Sequence, residues 1–241
     1  MKNILITGFE PFGEYTENLS EVAATKLKII ADYNVYSLIF PVRIFPHQTN
    51  RITSYLVNGK RHFFKEPVGV VNYGDLIVAY AQEINACAII SLGISSEVRG
   101  IRIETQASNW VENYKYCLES EQQRVIDGYF AAKETIGVNL EKWRLAKLWN
   151  IGVLTNQFHK FGVDCNVTLS ADAGSFCCNA LMFRTLVSLK KNCCETPYLF
   201  LHIPCSAEAV KDNPNFDKTK ELMTLERLAG ILSVILKHKE N

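Results

Sequence analysis

Cys178 follows an apolar run and a short loop, and it opens a stretch with helical spacing (Asn179–Lys190). A thiol at such a junction lies near the positive end of the helix dipole, which lowers its pKa and favours the nucleophilic thiolate. Cys177 occupies the same junction, and two buried structural thiols would leave the same trace in sequence. His202 stands near the end of a second apolar run, Tyr198–Ile203, just before Pro204. An imidazole there can serve as a general base, or it can sit in a core hydrogen-bonded to backbone. Glu104 closes the run Ile101-Arg102-Ile103-Glu104; it can orient a histidine, mark an edge strand or pair with Arg102. A thiol, an imidazole and a carboxylate are the constituents of a Cys-His-acid triad, whose chemistry is acyl transfer.

Other chemistries find less support. The loop Thr7-Gly8-Phe9-Glu10-Pro11-Phe12-Gly13 follows the first apolar run, but neither G-x-G-x-x-G nor a P-loop pattern is present. Two aromatics and a proline make it a stiff apolar loop, either a structural turn or the wall of a pocket. The eight cysteines show no C-x-x-C, and the five histidines show no i, i+4 pairing. No zinc site is therefore expected.

The chain has 241 residues, of which 48% are hydrophobic and 21% charged, with a net charge of +1. That suffices for a well-buried core and offers no basic surplus for nucleic acid. The longest apolar stretches, such as Ala86–Ile90 and Ile231–Leu236, fall far short of the roughly 20 residues that span a bilayer. The apolar run Ile4–Ile6 is too short for a signal peptide. A cytoplasmic location with reduced thiols is expected.

The elements that must position these residues can be read from periodicity. Strands are predicted over Lys2–Thr7, Asn34–Pro41, Ala86–Leu92, Ile101–Trp110, Val163–Leu169 and Tyr198–Ile203. Helices are predicted over Glu21–Ala31, His47–Phe64, Leu140–Asn150, Val153–Phe161, Asn179–Lys190 and Leu222–Lys239. Val70–Gln82 contains turn residues at Asn72–Asp75, and Asn113–Gly137 reads as loop with short elements. Ala86–Leu92 is almost uniformly apolar, as expected of a strand covered on both faces of a parallel sheet. Strands alternating with helices predict an α/β class, a three-layer α/β/α sandwich with a mostly parallel central sheet, in one domain spanning 1–241. Sites in such sheets form beyond the carboxyl ends of strands.

Taken together these residues resemble the pyroglutamyl peptidases, also called pyrrolidone-carboxylate peptidases. Thr7–Gly13 is similar to the family's opening T-G-F-x-P-F-G, and Asn18 with Ser20 to the N-x-S that follows. Gly93 ends the strand before the family's glutamate segment, which Glu104, Ala107 and Asn109 resemble. Asp172-Ala173-Gly174-Ser175-Phe176-Cys177-Cys178-Asn179 is similar to the nucleophile motif D/S-A-G-x-Y/F-x-C-N/D, and His202-Ile203-Pro204 to H-V/I-P. The chain departs from many members at Thr105 and Gln106, where an arginine follows the glutamate, and around Tyr114–Gln123. The segments Asn58–Val71 and Gly128–Asn150 are longer than the family norm.

The resemblance implies an α/β/α fold and removal of N-terminal pyroglutamyl (5-oxoproline) residues from peptides, without a cofactor. It implies Cys178 as nucleophile, His202 as base and Glu104 as orienting acid. Substrate contacts are implied at Phe9, Phe12, Asn18, Phe176 and Cys177, and an oxyanion hole among backbone N–H groups near Cys178. The expected partners are peptides with N-terminal pyroglutamate, with no nucleic acid and no membrane; a homo-oligomer is left open. Two alternatives stand beside this reading. One is a phosphorylase-like α/β enzyme in which Cys178 is structural. The other is a catalytically impaired member that binds pyroglutamyl peptides or oxoproline.

Overall fold

The computed structural model describes residues 1–42, 54–63, 73–111, 133–140, 156, 158–160 and 162–237. In chain order the elements are β1 (Lys2–Phe9), α1 (Leu19–Lys26), β2 (Ile29–Ile30), β3 (Tyr33–Phe40), β4 (Ser54–Val57), β5 (Lys60–Phe63), α2 (Tyr73–Glu83) and β6 (Ala86–Ile94). There follow β7 (Ile101–Glu104), β8 (Gln106–Ser108), β9 (Thr135–Gly137), β10 (Val167–Ser170), α3 (Cys177–Lys191), β11 (Tyr198–Ile203), α4 (Ala207–Val210) and α5 (Leu225–Lys237).

The main sheet has the order β10-β7-β11-β6-β1-β3-β4-β5, with β2 beside β3. Its centre, β11-β6-β1-β3, is parallel throughout. These strands are the near-continuous apolar runs, because side chains alternate between two faces that are both covered. One face carries Ile4, Ile6, Ile90 and Leu201 against α1 and α5. The other carries Leu5, Ile89 and Phe200 against α2 and α3. The result is the expected three-layer α/β/α sandwich, with a mixed sheet. β7 runs antiparallel to β11, β10 follows β7, and the hairpin β4–β5 adds an antiparallel edge beyond β3.

Several local expectations are corrected. The helix expected over 21–31 starts earlier, capped by the Asn18 side chain on Ser20 N–H, and ends at Lys26. Ile29 and Ile30 then form a strand, because pairing with Asn34 and Tyr33 outweighs their helical spacing. Within the helix expected over 47–64, residues 54–63 are the β4–β5 hairpin instead. Asn58 and Gly59 at its tip both have positive φ, which turns the chain back on itself. Tyr73–Glu83 is one helix although it begins in turn-forming residues. The strand expected over 101–110 splits at Thr105: β7 stays in the main sheet and β8 pairs with β9. β10 begins four residues later than expected, and the final helix spans Leu225–Lys237. The helix expected over 140–150 lies almost wholly outside the described residues, as do most of 113–134 and parts of 153–161.

Candidate active site

α3 begins at Cys177, so both adjacent cysteines lie in its first turn. The loop before it is tied down by Ser170 and Asp172, whose side chains accept from the N–H groups of Asp172 and Gly174. Gly174 takes φ +80°, a conformation that favours glycine and swings the chain into the helix. Asn179, next to Cys178, accepts from Ser108 N–H and donates to the carbonyls of Ser108 and Trp110. That clamp pins the start of the helix to the segment just beyond Glu104.

Cys178 is half-buried and lies over the carboxyl end of β6. A Cβ on Gly93 would stand only 2.7 Å from Cys178 Sγ and 3.1 Å from the Phe200 ring, so the thiol occupies space that any other residue at 93 would fill. Gly93 is the register partner of His202 in the parallel β6–β11 pair. The thiol therefore meets the imidazole across that pair.

His202 Nδ1 lies 2.6 Å from Glu104 Oε1, and both side chains are almost fully buried. Arg102 Nε donates to the same oxygen at 2.7 Å. Burial works against a charged imidazole, but the nearby Cys178 and hydrogen bonds to Cys178 and Glu104 outweigh it and push His202 up to about 9. Burial likewise works against the Glu104 carboxylate. Hydrogen bonding and charge from His202, with Ser170 and Arg102, nevertheless hold its pKa below the ordinary value. Both effects favour an ionised Glu–His pair. With Nδ1 facing Glu104, Nε2 is left for the thiol.

The remaining expected residues divide. Phe9 and Cys177 line a small recess with Pro41, Tyr73, Ala180, Leu181 and Arg184, whose free volume of about 10 Å³ is the room of a single water. Phe12 and Phe176 are not in its lining. Phe12 packs edge-on against Tyr15, with ring centroids 5.2 Å apart. Phe176 is the N-cap residue of α3, partly buried on the core beneath that helix. Asn18 is fully buried; besides capping α1 it donates to the Glu10 carbonyl, and so braces the loop that carries Phe9. Two residues near the site lie outside the family motifs, although the sequence already offers Arg102 as a partner for Glu104. Arg184, buried in the recess wall, lies two helical turns beyond Cys177. Arg102 could be found only from its spacing of two from Glu104, which puts both on one face of a strand.

Among the described residues no cluster of His, Cys, Asp and Glu could hold a metal ion, and no helix is long and apolar enough to cross a membrane. Similarity to known proteins follows the same residues. Residues 146–236, which include Cys178 and His202, match the pyroglutamyl peptidase family model. A pyrrolidone-carboxylate peptidase of Thermococcus litoralis is 27% identical over 94% of this chain and 90% of its own length. Pyroglutamyl-peptidase 1 of Mus musculus is 23% identical over 84% and 79%. The solved structure of the Thermococcus litoralis pyrrolidone carboxyl peptidase has the same fold, with a TM-score of 0.69 at 22% identity over 99% of this chain and 93% of that one. Similarity to pyrrolidone-carboxylate and pyroglutamyl peptidases thus runs along nearly the whole chain, and the thiol, imidazole and carboxylate lie gathered in one place within it.

Proposed function

We propose that this protein is a cysteine peptidase that removes N-terminal pyroglutamyl residues from peptides, acting as one domain through Cys178, His202 and Glu104. The observation that carries the reading is the 2.6 Å Glu104–His202 contact with the Cys178 thiol as the imidazole's other partner. His202 takes the thiol proton, and the resulting thiolate attacks the pyroglutamyl carbonyl carbon. The backbone N–H groups in the first turn of α3 face the developing oxyanion, where the helix dipole favours negative charge. The imidazolium then gives its proton to the departing amine, leaving a thioester. His202 next takes a proton from water, whose oxygen attacks the thioester, and 5-oxoproline leaves as the thiol is restored.

The substrate's flat neutral ring needs apolar walls and few polar contacts, which the aromatic residues around the start of α3 offer. Phe9, Phe12, Phe176 and Cys177 are the side chains assigned to those walls, and Asn18 braces the loop between them. A catalytic thiol of this kind persists in a reducing compartment, which supports the cytoplasm as the protein's location. Hydrolysis of a chromogenic pyroglutamyl amide, with and without a thiol alkylating agent, tests the reading. Release of the chromophore that alkylation abolishes is expected. No release, or release indifferent to alkylation, would overturn it.

A further inference from the structure

Arg102 sits directly opposite His202 in the antiparallel β7–β11 pair, and Glu104 follows two residues later on the same face. Arg102 Nε and His202 Nδ1 therefore converge on one atom, Glu104 Oε1, at 2.7 and 2.6 Å. Arg102 Nη2 stands 3.4 Å from His202 Nδ1. If Nδ1 carries the proton that faces Glu104, this last contact is a close approach of two cationic groups with one carboxylate between them. We propose that Arg102 is a positioning residue of the catalytic centre: it fixes the carboxylate that orients His202 and restrains the basicity of the imidazole by sharing its anionic partner.

The reasoning is electrostatic and geometric. A buried carboxylate bound to a single imidazole would hold the imidazolium proton tightly, whereas proton transfer works best when the donor's pKa lies near the working pH. A second cation on the same oxygen divides the carboxylate's charge and repels the imidazolium. Among the described residues, the other ionisable group facing His202 is Cys178 from α3; β6 faces it with Gly93 and contributes none. The active form then reads Arg102⁺, Glu104⁻, His202⁺, Cys178⁻, alternating in sign and neutral in sum. The Arg102 side chain is 30% exposed, so the guanidinium reaches the site from its rim without the burial that Glu104 has undergone.

This proposal rests on the reading of His202 as the acid–base group, and its test can be separated from that reading. The imidazole titration is followed by nitrogen-15 NMR in the parent and in Arg102→Gln, alongside the pH profile of pyroglutamyl amide hydrolysis. The His202 midpoint and the alkaline limb are both expected to move up by about one pH unit in Arg102→Gln, the scale of a neighbouring like charge at a partly exposed site. Arg102→Lys keeps the charge and should return the midpoint toward the parent value. It lacks the planar fork that seats on Oε1, so kcat should fall about tenfold with KM unchanged. A midpoint that stays put or falls in Arg102→Gln overturns the proposal. Should that variant fail to fold, an unchanged kcat in Arg102→Lys overturns it, and the expected loss supports it. If the parent hydrolyses no pyroglutamyl amide, the proposed function fails, while the NMR midpoints still decide the role of Arg102.

Discussion

Successive residues on an α-helix point about 100° apart, so Cys177 and Cys178 share a turn without sharing a direction. Cys177 faces the recess beside Phe9, and Cys178 faces Gly93 and His202. Cys178→Ala is therefore expected to abolish turnover with the fold intact, and Cys177→Ala to keep kcat while altering KM; steady-state kinetics with circular dichroism on both variants checks this. His202→Ala should cost nearly as much as Cys178→Ala, because members of one catalytic unit are not additive. Glu104→Gln should cost less than His202→Ala, since it leaves the base in place and removes only its anionic partner. A Glu104→Gln enzyme as fast as the parent would make Glu104 a structural charge. The fold raises His202 from 6.5 to about 9, so it binds that proton more tightly than the unfolded chain does. The stability contributed is fully present below about pH 6.5 and is lost as pH rises through about 9. Charge interaction with Cys178 is the largest of the raising causes, so Cys178→Ala should lower the imidazole midpoint seen by NMR.

At the scale of elements, the close approach of β6 to α3 depends on Gly93. Gly93→Ala would force Cys178 Sγ or the Phe200 ring to move, and overpacking of this kind costs about 1–3 kcal/mol. A lower melting temperature together with a lower kcat is expected; parent-like values of both would mean the thiol is not held there. The same comparison shows which elements can be read from sequence. β1, β6 and β11 announce themselves as uninterrupted apolar runs, because burial on both faces leaves no room for polar alternation. α3 and α5 show their buried stripes. The β4–β5 hairpin does not, since its eight paired residues mix Ser, Lys, Arg and His among the apolar ones. What fixes it is pairing with β3, a contact that no local pattern encodes. The break at Thr105 is equally silent: its N–H and hydroxyl both donate to the Ser170 carbonyl, a partner 65 residues away. Motif residues located the thiol, imidazole and carboxylate. Spacing already offers Arg102 as a partner for Glu104, and the two do pair; its place opposite His202 stays hidden because it is set by the direction of β7, which apolar content does not reveal.

Over the whole molecule, the site is assembled from strands that are neighbours in space and distant in sequence. The span 146–236 holds Cys178 and His202 but lacks Glu104 and also β6 and β1, on which β11 depends for one flank of the sheet. A fragment limited to that span is expected to be unfolded and inactive; cooperative melting and hydrolysis by such a fragment would contradict the architecture described. The loops after β1 and β11 are likewise joined across a long stretch of sequence. Thr16 N–H donates to the Ala209 carbonyl, its hydroxyl donates to the Glu208 carbonyl, and the Ser206 hydroxyl donates to Glu17. The aromatic loop after β1 is thereby fastened to the segment that leaves His202. The antiparallel pairing of β7 with β11 has one more consequence. A slip of that pair by a single residue would turn Arg102 and Glu104 together into the apolar layer under α1 and α5, leaving two charges without His202. Misaligned chains would thus carry a penalty written in the candidate catalytic residues, so that the groups proposed for the chemistry also proofread the alignment of the strands that hold them.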